Sequence, residues 1–202
     1  MTYYNTQTQI FGHSHDDVAR ATNTSFAPGT LQVGDYRLYE MAAEPAYNPD
    51  TQRIEPAATP TERAGQAWLR EWLVIDLSAN EVAVQLAAAK EAKNAEINAA
   101  RLAANTSTFA HAGKVFACDQ LSRSDIDGTN GFVTLYGALP PGWPGGWKAV
   151  DNTYLPINDV AAWKDFYTSM FAAGAANFAK AQTLKASLGA ATTLAQVRGI
   201  VW

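Results

Sequence analysis

The chain has 202 residues, enough for one domain or two small ones with a core that needs no disulfides, and its 15 Lys and Arg against 19 Asp and Glu exclude a general nucleic-acid binder held by phosphate neutralisation. Of the 48% of residues that are hydrophobic, 38 residues are alanine, so bulky core formers are few and thin, close-packed helices are expected. No apolar run approaches the roughly 20 residues that cross a bilayer and no basic segment leads into a signal-type apolar run, which predicts a soluble protein without membrane insertion.

Charge divides the chain: Met1 to Leu77 holds 10 acidic and 5 basic side chains, and Ser78 to Trp202 holds 9 and 10. In the first part Pro28, Pro45, Pro49, Pro56 and Pro60 leave no room for a long helix, so it reads as short strands and turns behind an irregular, exposed N-terminus. Leu31, Val33, Tyr36, Leu38, Tyr39 and Met41 form a strand-type cluster, and Asn48-Pro49-Asp50 supplies a turn. Trp72-Leu73-Val74-Ile75-Asp76-Leu77 reads as a further strand whose continuous apolar character predicts burial on both faces or an oligomer contact.

Ser78 and Glu81 stand in capping-box spacing, which predicts a helix from Ala79 to Ala104, rich in alanine, glutamate and lysine and free of glycine and proline. Its stripe of Val82, Leu86, Ala89, Ile97 and Ala100 is too thin for a strong coiled coil; it suits packing on its own domain or a weak oligomeric stem. Phe109, Gly113, Val115, Phe116 and Cys118 predict a small hairpin turning near Gly113-Lys114. Ser122 and Asp125 repeat the capping spacing before a short helix weakened by Gly128 and Gly131. Pro140 to Gly146 is a loop by composition, followed by a second hairpin through Trp147–Val150 and Thr153–Ile157 with Pro156 at a strand end. Asn158 is the expected cap of the strongest amphipathic helix, carried by Trp163, Phe166, Tyr167, Met170, Phe171, Phe178, Ala181, Leu184 and Leu188. Gly174 within it predicts a close backbone approach, and Gly189 is placed to end it. Thr193 and Gln196 form a third capping box, opening a last helix with Leu194, Val197, Ile200 and Val201 on its apolar face.

The order of Ala95-Glu96-Ile97-Asn98-Ala99-Ala100-Arg101, Phe116, Asp119, Ser122, Ile126, Asp151-Asn152, Leu184, Ala190-Ala191-Thr192-Thr193-Leu194 and Ile200-Val201-Trp202 resembles the DUF4376 family of bacteriophage and prophage tail proteins, over roughly Glu91 to Trp202. More loosely, Tyr47-Asn48-Pro49-Asp50, Trp72 to Leu77 and the serine-capped helix resemble leader segments of phage tail-fibre and fibre-assembly proteins. The expected architecture is α+β: residues 1–77 a docking segment and small β-rich module, 78–105 a connecting helix, and 106–202 a DUF4376-like domain of helices with two small β-hairpins. The resemblance transfers no catalytic residue and no cofactor.

Gly12-His13-Ser14-His15-Asp16-Asp17 is the one cluster of metal-capable side chains, and an extended strand puts His13 and His15 on one side. Phage fibres and spikes sometimes hold an ion with such pairs from three chains; the competing reading is a solvated or partner-binding segment. Asp16 and Asp17 are adjacent and point apart, a poor acid/base pair. His111 reads as a surface or core-edge residue and Cys118 as a small buried hydrophobe, not a nucleophile. Asp125, Asp127, Gly128 and Asn130 lack the downstream glutamate of a calcium loop, and Gly142, Gly145 and Gly146 do not precede a helix with a phosphate-binding lysine. Trp143 and Trp147 suit either an adhesive tip or a loop tucked onto its own domain, and Trp68 and Trp72 are expected to be buried.

These readings lead to three functional classes. The first is a non-enzymatic structural protein of a phage tail, a baseplate or fibre element assembled in the bacterial cytoplasm, binding other tail proteins or the host surface as a homo-oligomer, trimer favoured. The alternative is a tail-fibre assembly chaperone, whose acidic first half would match a basic patch on the fibre. A glycan-cleaving enzyme needs paired carboxylates on convergent elements, whereas the acidic residues here sit at caps and turns.

Overall fold

A computed structural model describes residues 1–202, and with 44% helix and 22% strand the protein is mixed α+β. It forms two units, Met1–Ala83 and Val84–Trp202. No helix is long and apolar enough to cross a membrane.

The first unit is built on β1 (Thr2–Asn5), β2 (Ile10–His13), α1 (His15–Thr22), β3 (Gln32–Val33) and β4 (Tyr36–Met41), with β5 (Gln52–Pro56), β6 (Trp68–Arg70) and β7 (Trp72–Asp76) following. β1 lies between β2 and β4, antiparallel to both, while the other edge of β4 takes β3 antiparallel and β6 parallel. Alternation along these strands sorts the side chains. Tyr3, Leu38, Tyr36 and Val33 pack with Val18 of α1 and Phe26. Tyr4, Phe11, Tyr39 and Trp68 form a chain of ring contacts on the other face, with the Arg70 guanidinium 3.5 Å over the Phe11 ring.

The N-terminus is therefore not the irregular, exposed segment expected: Tyr3 is fully buried and β1 sits inside the sheet. Its hairpin loop is held by Asn5, whose side-chain oxygen accepts the amides of Gln7 and Thr8 at 2.9 Å each. Helix α1 is a second departure. Ser14 accepts the Asp17 amide and the Asp17 carboxylate accepts the Ser14 amide, a reciprocal cap closed by aspartate.

β5 and β7 form a separate two-stranded ribbon, in register from Gln52 opposite Asp76 to Pro56 opposite Trp72. Burial of β7 on both faces is not realised, because only β5 pairs with it and Leu73 and Val74 remain 50% and 42% exposed. Trp72 is half-buried and donates its indole N–H to the Ala42 carbonyl at 3.0 Å.

Helix α2 (Ala79–Asn105) starts at the Ser78–Glu81 box, complete with both reciprocal bonds. The second unit continues with β8 (Thr108–His111), β9 (Lys114–Ala117), α3 (Gln120–Tyr136), β10 (Gly146–Lys148), β11 (Tyr154–Pro156), α4 (Val160–Ala190) and α5 (Leu194–Arg198). One cluster joins Phe109, Phe116, Cys118, Ile126, Val133, Ile157, Trp163, Phe166 and Met170 across both hairpins, α3 and the start of α4. A second joins Ile97 of α2 to Ala181 and Leu188 of α4, Val197 of α5 and Ile200, so the thin stripe on α2 packs within its own unit.

The helix ends differ from the sequence reading in several places. Asp119, not Ser122, caps α3, accepting the Ser122 amide at 3.0 Å, and the helix runs 17 residues through both glycines to a left-handed Gly137. Asp159, not Asn158, caps α4, accepting the Ala162 amide at 2.8 Å. Gly189 does not end α4; the helix continues to Ala190, and the Lys90 ammonium donates to the Gly189 carbonyl at 3.1 Å. Nothing lies within 4 Å of where a Cβ on Gly174 would stand, so no backbone approaches there. The Thr193–Gln196 box opens α5, but Val201 is exposed and off its apolar face.

Candidate functional site

Two loci carry the residues singled out from sequence. At the first, His13 ends β2 and His15 opens α1, with Ser14 as the extended cap between them, so the pair does not share a strand face. The His13 ring packs edge-on against Tyr36, and its Nε2 is buried without a hydrogen-bond partner. His15 Nε2 lies 2.9 Å from the Phe26 carbonyl, which accepts, so Nε2 carries the proton. The other ring nitrogen faces Asp16 at 3.3 Å. The carbonyl contact first, and then the Asp16 carboxylate, raise the His15 pKa above its ordinary value. No three His, Cys, Asp or Glu side chains gather into a metal-holding group.

The second locus is the Pro140 to Gly146 loop and the hairpin after it. Trp143 and Trp147 are tucked onto their own domain: their rings stack at 6.0 Å, and both contact the fully buried Trp163, at 5.4 and 5.6 Å. The Trp143 indole N–H donates to the Ile157 carbonyl at 2.7 Å, which leaves it no donor for a partner. Gly146 permits the pairing, since a Cβ there would stand 2.4 Å from the Leu155 carbonyl oxygen.

Because residues alternate across a strand, Trp147 and its cross-strand partner Leu155 pack on the core while Lys148 and its partner Tyr154 take the other face. Beside that outer face lies an open groove of about 480 Å³, lined also by Ser122 and Asp125 of α3 and by Asn152. The turn carrying Asn152 is fixed by Asp151, which accepts both the amide and the hydroxyl of Thr153, at 2.9 and 2.6 Å. Those bonds hold the Asp151 carboxyl below the usual range. Lys114 braces the same turn through the Thr153 hydroxyl. Asn152 itself sits at φ 65°, a left-handed position that asparagine tolerates.

Asp125, Lys148, Asn152 and Tyr154 were not singled out as a group from sequence. The signal was the polar half of the hairpin alternation, Lys148 after Trp147 and Tyr154 before Leu155. Asp125, expected to serve a cap, points its carboxylate to no helix end; Ser122 is itself capped by Asp119. His111 is at the edge of the core, its Nδ1 2.8 Å from the Ser169 hydroxyl and its ring edge-on to Phe166. Cys118 is buried, and desolvation pushes its thiol up, away from nucleophile character.

A family model described as "Domain of unknown function (DUF4376)" matches residues 88–200, more than half of the chain. No match was found among curated proteins or among solved structures.

Proposed function

The chain belongs to the DUF4376 family, and on that premise we propose that it is a structural component of a bacteriophage tail, a baseplate or tail-fibre element that holds other tail proteins or a host surface. The tail assignment is supported by the resemblance of the C-terminal segments to phage and prophage tail proteins and of the Tyr47 to Leu77 stretch to fibre leader segments.

The observation that carries the reading is how the polar side chains are used. Asp17, Glu81, Asp119 and Asp159 accept backbone amides at or beside helix starts, and Asp151 fixes a turn. A carboxylate committed to a cap shapes the backbone and is a poor proton shuttle, because protonation would cost the cap. Large apolar side chains, by contrast, stay open to solvent: Leu73 and Val74 on β7, and Leu121, Leu135 and Tyr136 on α3. Such groups gain most from being covered by another macromolecule, and a symmetric homo-oligomer, a trimer first, is the simplest way to cover them. The place of action is the virion tail, after assembly in the bacterial cytoplasm. Detection of the chain in purified particles tests the reading.

The acidic excess of the first 77 residues favours a second reading, a fibre-assembly chaperone that meets a basic fibre surface. Co-expression separates the two: a chaperone is needed for the fibre to become soluble and trimeric, and a structural component is not.

A further inference from the structure

We propose that the groove between the outer face of the β10–β11 hairpin and α3 is a binding site for an uncharged saccharide. Its chemistry stands without the tail reading, which would give such a ligand a source in a host surface glycan.

The groove holds about 480 Å³, inside the range of roughly 300–1,000 Å³ typical of small-molecule sites. Four side chains lining it hold no hydrogen bond or ion pair within the protein: the Asp125 carboxylate, the Lys148 ammonium, the Asn152 amide and the Tyr154 hydroxyl. Asp119, Asp151 and Asp159, by contrast, are engaged in caps and turns, Lys90 on a carbonyl and Asn105 with Asn177. Gathering four unengaged groups in one groove leaves an acceptor, a donor and two groups that do both.

The ligand class follows from that set. A hydroxyl both donates and accepts, so a run of sugar hydroxyls satisfies a carboxylate, an ammonium, an amide and a phenol at once. One unpaired negative and one unpaired positive charge leave the groove without net attraction for an ion. Asp125 opposes a phosphate or a carboxylate-rich ligand. Tyr154 is 60% exposed and stands beside Lys148 across the strand pair, where its ring offers a flat apolar face to the C–H face of a pyranose. The platform is rigid, because Trp147 and Leu155 anchor the far side of the hairpin in the core and Asp151 and Lys114 fix its turn.

The test uses the full chain on a printed array of bacterial surface glycans, followed by calorimetric titration with the strongest-binding neutral oligosaccharide of the array. Binding is expected, with the Asn152 side-chain amide resonances shifting on titration. Asp125→Ala and Tyr154→Ala should each weaken it at least about tenfold, the loss of one charge-assisted hydrogen bond or one ring contact. Phe171→Ala, an exposed aromatic on α4 outside the groove, should leave the affinity unchanged. The far-UV circular dichroism spectrum of each variant reports whether it folds; all these side chains are exposed, and should any variant misfold, the Asn152 resonance shift in the unaltered chain decides. An array without a neutral ligand, a response to anionic glycans alone, binding undiminished in both groove variants, or Asn152 resonances unmoved by a bound glycan would each overturn the assignment.

Discussion

Trp143 and Ile157 clamp the proline-glycine loop to the entrance of α4. The indole N–H of Trp143 donates to the Ile157 carbonyl at 2.7 Å, and the Ile157 amide donates to the Gly145 carbonyl at 2.9 Å. Ile157 is buried, so its carbonyl has no ready water to replace the indole. Trp143→Phe keeps a six-membered ring against Trp163 while removing the donor and the rest of the indole. It should cost about 1–3 kcal/mol, the penalty of leaving a buried acceptor unmet. Trp143→Ala adds a cavity and should cost more, about 3–5 kcal/mol. Thermal unfolding followed by near-ultraviolet circular dichroism separates the two; a Trp143→Phe variant that unfolds at the same temperature as the unaltered chain would mean that the hydrogen bond contributes nothing.

The glycines make opposite predictions at two places. Gly128 lies within α3 with nothing within 4 Å of a prospective Cβ, so Gly128→Ala should stabilise by about 0.5–1 kcal/mol through lower unfolded-chain entropy. Gly146→Ala meets the Leu155 carbonyl and should destabilise and weaken the hairpin pairing. Melting temperatures of the two variants check both signs.

The caps tie stability to pH. The Asp119 carboxyl is lowered below its usual value by the Ser122 amide and then by the Ser122 hydroxyl, and Asp17 and Glu81 are lowered first by the hydroxyls of Ser14 and Ser78. A lowered folded-state pKa gives stabilisation that is full above the unfolded value, near 3.8 for aspartate, and is lost as pH falls through the lower folded value. Asp119→Ala should therefore flatten the acid limb of the stability curve and lower the melting temperature at neutral pH. Ser122→Ala, which keeps the amide donor, should do less of both.

His15 runs the other way. Its pKa is raised above 6.5, so the contribution of the charged ring to the first unit is full below pH 6.5 and is lost as pH rises through the folded value. Imidazole proton resonances of His15 should titrate with a midpoint above 6.5. Asp16→Asn removes the second cause and should bring that midpoint down while leaving the Phe26 contact in place.

Much of the fold was legible in the sequence where one local signal stood uncontested. Ser78 and Glu81 announced α2 because their box stands directly before an alanine-rich run free of glycine and proline, and Thr193 with Gln196 opened α5 by the same box. Around Asp119 two caps compete three residues apart. Asp119 prevails because the Cys118 amide, bonded to the Ser107 carbonyl, closes the β8–β9 hairpin and leaves the chain to turn at once. Helix α1 was missed because its box closes with aspartate in a short polar segment that also suits an extended chain. That Trp143 and Trp147 turn inward depends on Trp163 and Phe166, which α4 brings from later in the chain and which no local pattern announces. The groove was illegible for the same reason: Asp125 and Tyr154 meet only through the tertiary packing of α3 against the hairpin.

The proposed place in a phage tail is tested most directly by quantitative mass spectrometry of phage particles released by the bacterial strain that carries this sequence, banded to purity. The chain should be present in every preparation at a fixed small multiple of the other tail proteins, three or a multiple of three per tail for a trimer. Particles with complete tails that lack the chain would contradict it.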